Sequence, residues 1–129
     1  MMKNSPVLRV LVVEDELLIR WSIVETLRSA GHEVIEADSA AAAERALTNA
    51  PEPVDAVLLD YRLPDSNDLT LLSNIRRLSP ASAVIMMTAF GTHEVTKGAL
   101  ALGVYKVINK PFDLHDLAPL LTQAHAAVR

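Results

Sequence analysis

The sequence predicts one α/β domain, a doubly wound five-stranded parallel sheet with helices on both faces, and three observations carry that prediction. Short apolar runs alternate with segments of helical period five times along the 129 residues. Turn and stop residues, among them Gly31, Pro51, Pro64 and Pro80, fall between these segments. Half of the residues are hydrophobic and 4% are aromatic, a composition that suits a compact domain and opposes disorder.

After a loose leader over residues 1–6, Val7–Val13 reads as a strand running straight into Glu14-Asp15-Glu16. A helix follows over Leu17–Ala30, with Ile19, Ile23, Val24 and Leu27 at helical spacing, Trp21 at the edge of the stripe and Gly31 as the stop. Glu33–Ala37 is a short strand, and Ser39 fits as N-cap of an alanine-rich helix ending near Asn49. Val54–Asp60 is an apolar run that ends abruptly in a carboxylate. Beyond Pro64, Leu69, Leu71, Leu72, Ile75 and Leu78 mark a helix that Asp68 is placed to cap. Ala83–Met87 is the fourth strand, leading into Thr88-Ala89. His93–Leu102 is predicted to be the softest helix, because Gly98 costs about 1 kcal/mol relative to alanine. Val104–Ile108 is the last strand, and Leu114, Leu117, Leu121, Ala124 and Val128 mark the last helix. Asp113 would cap that helix, and Pro119 is expected to kink or loosen one of its turns. The chain shows no internal repeat and no boundary of a second domain, so residues 7–129 read as one unit.

Composition removes several function classes. Twelve basic against sixteen acidic residues leave a net charge of −4 with no basic stripe, which argues against direct nucleic-acid binding. The absence of cysteine excludes disulfides and thiolate chemistry and is compatible with a reducing compartment. The first apolar run is interrupted by Arg9 and is too short to span a bilayer, so a cytoplasmic protein without a membrane partner is expected.

Chemistry converges at the carboxyl ends of the strands, where an open parallel sheet binds its ligands. Taken alone, Asp60 is either a reactive carboxylate or a cap for the following turn. Its neighbours along that edge are Glu14 and Asp15 after the first strand, Thr88 after the fourth, and Lys110-Pro111 after the fifth. Adjacent carboxylates repel and need a counter-charge. Hard oxygen ligands suit Mg²⁺ rather than zinc. A carboxylate with Mg²⁺, a lysine and a threonine hydroxyl can receive a phosphoryl group, whose charge is spread over three oxygens. His32, His93, His115 and His125 show no metal-ligand spacing, and no glycine-rich phosphate loop occurs.

The pieces Val-Val-Glu-Asp-Glu (12–16), Leu-Leu-Asp-Tyr-Arg-Leu-Pro (58–64), Met-Thr-Ala-Phe-Gly (87–91) and Asn-Lys-Pro-Phe-Asp (109–113) stand in an order and spacing of high specificity. With them the chain, from Val7 to about Ala126, resembles the receiver domain of two-component response regulators. The last two pieces look most like receivers of the nitrogen-regulator class that control σ54-dependent transcription. The resemblance implies a flavodoxin-like strand order 2-1-3-4-5. It implies that Asp60 accepts a phosphoryl group from the phosphohistidine of a sensor histidine kinase. Asp15 would bind Mg²⁺ directly and Glu14 mostly through water, with Asp60 and the Arg62 backbone carbonyl completing the ligands. Lys110 would pair with the phosphoryl oxygens, Thr88 would turn inward to them, and the Lys110-Pro111 bond is expected to be cis. An effector domain or partner protein and a homodimer through the 93–128 face are further implications, with regulated transcription as the output.

Four positions depart from the family pattern. Val107 stands where an aromatic residue usually couples to the threonine, and Tyr105 lies two residues earlier on the same predicted face. Asp65 and Asp68 replace common glycines, and Lys106 replaces a common aspartate. Two other readings compete. A haloacid-dehalogenase-like phosphohydrolase would need a second aspartate at position 62, which is arginine. A docking module without regulated phosphorylation would have no need of all five site residues.

Overall fold

A computed structural model describes residues 6–89 and 91–128 of the chain. Residues 1–5 of the expected leader lie outside the described residues, as does Phe90 of the third motif piece. Strands β1 (Arg9–Val13), β2 (Glu33–Ala37), β3 (Ala56–Asp60), β4 (Ala83–Thr88) and β5 (Lys106–Asn109) form one sheet. Its order is β2-β1-β3-β4-β5, as the resemblance implied, and every pairing is parallel, as the alternation of strands and helices predicted. Helices α1 (Leu17–Ser29), α2 (Ala40–Asn49), α3 (Thr70–Leu78), α4 (His93–Ala101) and α5 (Leu117–Ala127) make the connections and close the chain.

Side chains alternate across a strand, so each central strand feeds two cores. Leu11, Val13, Val57, Leu59, Val84 and Met86 face the core beneath α2, α3 and α4. Val10, Val12, Ala56, Leu58, Ile85 and Met87 face the core beneath α1 and α5. This two-sided burial is why β3 and β4 read as unbroken apolar runs. Removing one fully buried leucine from either core, for example Leu58→Ala, costs about 2–5 kcal/mol.

Most local stop and start signals act where expected. Gly31 takes φ +95° after α1, and its N–H and that of His32 donate to the carbonyls of Arg28 and Leu27 at 2.9 and 3.1 Å. Ser39 Oγ accepts from the Ala42 N–H at 3.1 Å. Asp68 accepts from the Thr70 N–H at 2.8 Å. Asp113 accepts from the His115 N–H at 2.9 Å and so caps a 3-10 turn over Leu114–Asp116 rather than α5 itself, whose N-cap Asp116 makes no side-chain cap bond.

Three further expectations change. Pro119 kinks nothing: α5 starts at Leu117, so the proline lies in the first turn, where a backbone N–H has no helical partner to lose. The last strand begins at Lys106 rather than Val104, because the Val104 N–H still closes α4 on the Ala99 carbonyl at 3.2 Å. Tyr105, whose N–H reaches the Val84 carbonyl at 2.8 Å, precedes the strand and is 39% exposed, whereas Val107 packs on the α4-side core. Gly98 has a packing role as well as a propensity cost, since a Cβ there would lie 2.8 Å from Leu69 Cδ1. α4 is the most lightly buried helix: Ala99 is its one buried residue, against two in α2 and three each in α1, α3 and α5.

Candidate phosphoacceptor site

The chain leaves β1 toward β2 on one side and returns to β3 on the other, so β1 and β3 flank the point where an open sheet forms its crevice. β1 delivers Glu14 there. Its N–H still bonds the Ala37 carbonyl of β2 at 3.0 Å, and its side chain is completely buried. Asp15, one residue on, is exposed. β3 delivers Asp60, which is buried and lies beside Met87 in the register of the β3–β4 pair. Thr88 is the next residue of β4 and is also buried. Lys110 follows β5, its N–H on the Thr88 carbonyl at 2.8 Å, and its bond to Pro111 is cis.

The side chains meet around the lysine. Lys110 Nζ donates to Glu14 Oε1 at 2.6 Å and to Asp60 Oδ2 at 3.1 Å. Glu14 Oε2 accepts from the Glu16 N–H at 3.2 Å, and Asp60 Oδ1 from the Arg62 N–H at 3.3 Å. One carboxylate oxygen from each of Glu14, Asp15 and Asp60 lies within 4.8 Å of the other two. Burial pushes the Glu14 carboxyl above its ordinary range; the Lys110 hydrogen bond works against that rise, and the nearby Asp60 carboxylate adds to it. Burial also works to lower the Lys110 pKa, but its bonds to Glu14 and Asp60 outweigh this and the ammonium is held above its ordinary value. Three acids thus stand together beside one ammonium that pairs with two of them. The donors are all oxygen and one side of the cluster is open through Asp15, a set that fits a hard divalent cation keeping some of its waters.

Sequence reasoning placed Glu14, Asp15, Asp60, Thr88 and Lys110 at this edge, and the fold brings them together there. It did not show that Lys110 bridges two acids. It also missed Arg20, whose Nη1 donates to the Glu14 carbonyl at 2.9 Å while Nε pairs with Glu36 at 3.0 Å. An arginine on the polar side of a helix carries no signal of such a bond. Trp21, placed at the edge of the α1 stripe, is 60% exposed, and Leu17 and Leu18, which lie outside that stripe, are exposed as well.

Comparison with known proteins agrees with this geometry. Residues 10–122 match the response regulator receiver domain family. The transcriptional regulatory protein PdtaR of Mycobacterium tuberculosis is 32% identical over 125 residues, covering 94% of this chain and 58% of its own. The DNA-binding transcriptional regulator NtrC of Escherichia coli is 32% identical over 113 residues, covering 88% of this chain and 24% of its own. The chain thus spans little more than half of the first relative and about a quarter of the second. Among solved structures, a receiver domain protein from Methanospirillum hungatei superposes with a TM-score of 0.88 at 28% identity, covering 95% of this chain and 97% of that one. The beryllofluoride-activated receiver domain dimer of NtrC4 gives 0.84 at 28% identity, covering 94% and 98%. Acid cluster, bridging lysine and strand order thus occur in a chain that belongs to the response regulator receiver domain family of two-component signalling.

Proposed function

We propose that Asp60 is the phosphoacceptor of this domain, and the observation that carries the reading is the Lys110 bridge between Asp60 and the buried Glu14. An oxygen of Asp60 attacks the phosphorus of a phosphohistidine, an O–P bond forms as the P–N bond breaks, and the imidazole leaves to take up a proton. Glu14, Asp15, Asp60 and the backbone carbonyl of Arg62 would hold Mg²⁺, which supplies positive charge to the phosphoryl oxygens when bound. Lys110 already stands at Asp60 and needs only to exchange a carboxylate partner for a phosphoryl oxygen. Thr88, at the end of the adjacent strand, is the hydroxyl that turns toward the new group. The domain catalyses its own phosphorylation and dephosphorylation and no other turnover.

The donor is a sensor histidine kinase. Lys110 and Pro111 also line an apolar groove of ≈ 420 Å³ with Leu18, Ile19, Phe112 and Leu114. Beside it, α1 exposes Leu17 and Trp21. A phosphodonor protein seated on that apolar face brings its histidine to the acceptor edge. The response lies on the other flank, where the 89–110 segment with the lightly buried α4 shifts and Tyr105 and Val107 take part in the switch. The 93–128 face then presents a homodimer or effector surface, and the output is regulated transcription in the cytoplasm.

Incubation with Mg²⁺ and acetyl phosphate adds one phosphoryl group to Asp60 as acetate leaves the donor, and mass spectrometry reads the resulting aspartyl phosphate. The Asp60→Asn protein stays unmodified under the same conditions. Labelling of that variant at the wild-type rate removes Asp60 from the role.

A further inference from the structure

The loop that leaves Asp60 is tied down by a residue that belongs to no part of the acid cluster. Leu63 and Ser66 exchange both backbone hydrogen bonds, Leu63 N–H to the Ser66 carbonyl at 2.8 Å and Ser66 N–H to the Leu63 carbonyl at 3.2 Å. Between them stands Asp65, and its carboxylate leaves the loop altogether. Oδ1 accepts from the Ala40 N–H at 2.7 Å and Oδ2 from the Ala41 N–H at 3.0 Å, so both oxygens grip the start of α2. Ser39 Oγ takes the next N–H, that of Ala42. The two Asp65 bonds hold its carboxyl below the ordinary aspartate range.

We propose that Asp65 is a positioning residue for the metal-binding carbonyl of Arg62, an inference that rests on the phosphoacceptor reading and extends it. The Arg62 carbonyl and the Leu63 N–H belong to one planar trans peptide and point in opposite directions. Whatever fixes the Leu63 N–H therefore fixes the direction of the carbonyl. That N–H is fixed by the Ser66 carbonyl, and the place of Ser66 is fixed by the clamp of its neighbour Asp65 on α2. The start of α2 is itself held at the site, because β2 just before it accepts the Glu14 N–H on Ala37. The bonds close a ring: Glu14 to β2, α2 to Asp65, the Leu63–Ser66 turn to Arg62, Arg62 to Asp60, and Asp60 through Lys110 back to Glu14. Among the described residues, Asp65 is the one loop side chain given hydrogen bonds to α2, and a glycine there has no group to make them.

The test is Mg²⁺ binding by the unphosphorylated protein, followed through backbone amide shifts in wild type, Asp65→Ala, Asp65→Asn and Ser39→Ala. Asp65→Ala is expected to weaken Mg²⁺ by about tenfold, the lower end for loss of a group that orients a ligand. It should also move the Leu63 amide signal of the metal-free protein. Asp65→Asn keeps one acceptor oxygen and falls between that variant and wild type. Ser39→Ala removes a cap from the same helix without touching the clamp, and binds Mg²⁺ as wild type does. Asp65→Ala binding within twofold of wild type, or Ser39→Ala losing as much as Asp65→Ala, overturns the inference. Wild type taking up neither Mg²⁺ nor a phosphoryl group overturns the phosphoacceptor reading instead.

Discussion

The two ends of the sheet are built from the same strands and treat their polar groups in opposite ways. At the amino end Ser82, His32 and Asp55 each have a matched partner. Ser82, fully buried, donates from Oγ to the Val54 carbonyl and shares a second hydrogen bond with Ser79 Oγ, both at 2.5 Å. His32 Nδ1 accepts the Leu8 N–H at 3.0 Å, and Asp55 accepts the Arg9 N–H at 2.8 Å. At the carboxyl end three acids cluster beside one lysine that pairs with two of them, and one of those two, Glu14, is wholly buried. Buried polar groups are tolerated when satisfied, and buried like charges are not. The amino end is therefore finished by folding alone, whereas the carboxyl end keeps unmatched charge that a cation or a covalent change can relieve.

That contrast can be broken in four ways. The largest effect is expected for Lys110→Ala, which leaves Glu14 and Asp60 without a counter-charge and should cost about 3 kcal/mol without Mg²⁺. Urea unfolding measures it, and a neutral result means that the lysine does not hold the acids in place. Ser82→Ala strands the Val54 carbonyl and should cost about 2 kcal/mol. Its labelling rate with acetyl phosphate should match wild type, since the residue sits at the far end of the sheet; slowed labelling would mean that the two ends are coupled.

A pH effect comes next. Burial lowers the pKa of His32 below its ordinary value of 6.5, so the unfolded chain takes up a proton that the fold refuses. The stabilisation is complete above pH 6.5 and is lost as pH falls from there through the folded value. Thermal melts of wild type and His32→Gln should show this slope in wild type and a flatter one in the variant. The smallest effect is Asp15→Asn, which removes an exposed member of the acid cluster. The metal-free variant should melt slightly higher than wild type, and added Mg²⁺ should raise its melting temperature less. A variant that melts lower would mean that the three acids do not repel.

Much of this was legible from residues alone, and the failures have physical causes. The unbroken apolar runs of β3 and β4 announce strands buried on both faces, and the carboxylate ending β3 announces the site edge. Pro119 was misjudged because its meaning depends on a helix boundary, and that boundary is set by the Asp113 turn ahead of it. The β5 boundary was missed because the Val104 N–H is claimed by α4 before the sheet can use it. Asp65 stood out only as a replacement of a common glycine, and nothing local points to its partners, which lie 25 and 24 positions earlier.

Local periodicity, turn chemistry and the residue ending each strand depend on neighbours in the chain, and those the sequence determined by itself: five strands, five helices, and the groups at one edge. The tertiary structure alone decided which groups touch. It put Lys110 on two acids rather than one, Arg20 on the Glu14 carbonyl and Asp65 on α2. Hydrogen bonds form and lapse over a few tenths of an ångström, and that scale is set by packing between segments distant in sequence, which no local pattern records.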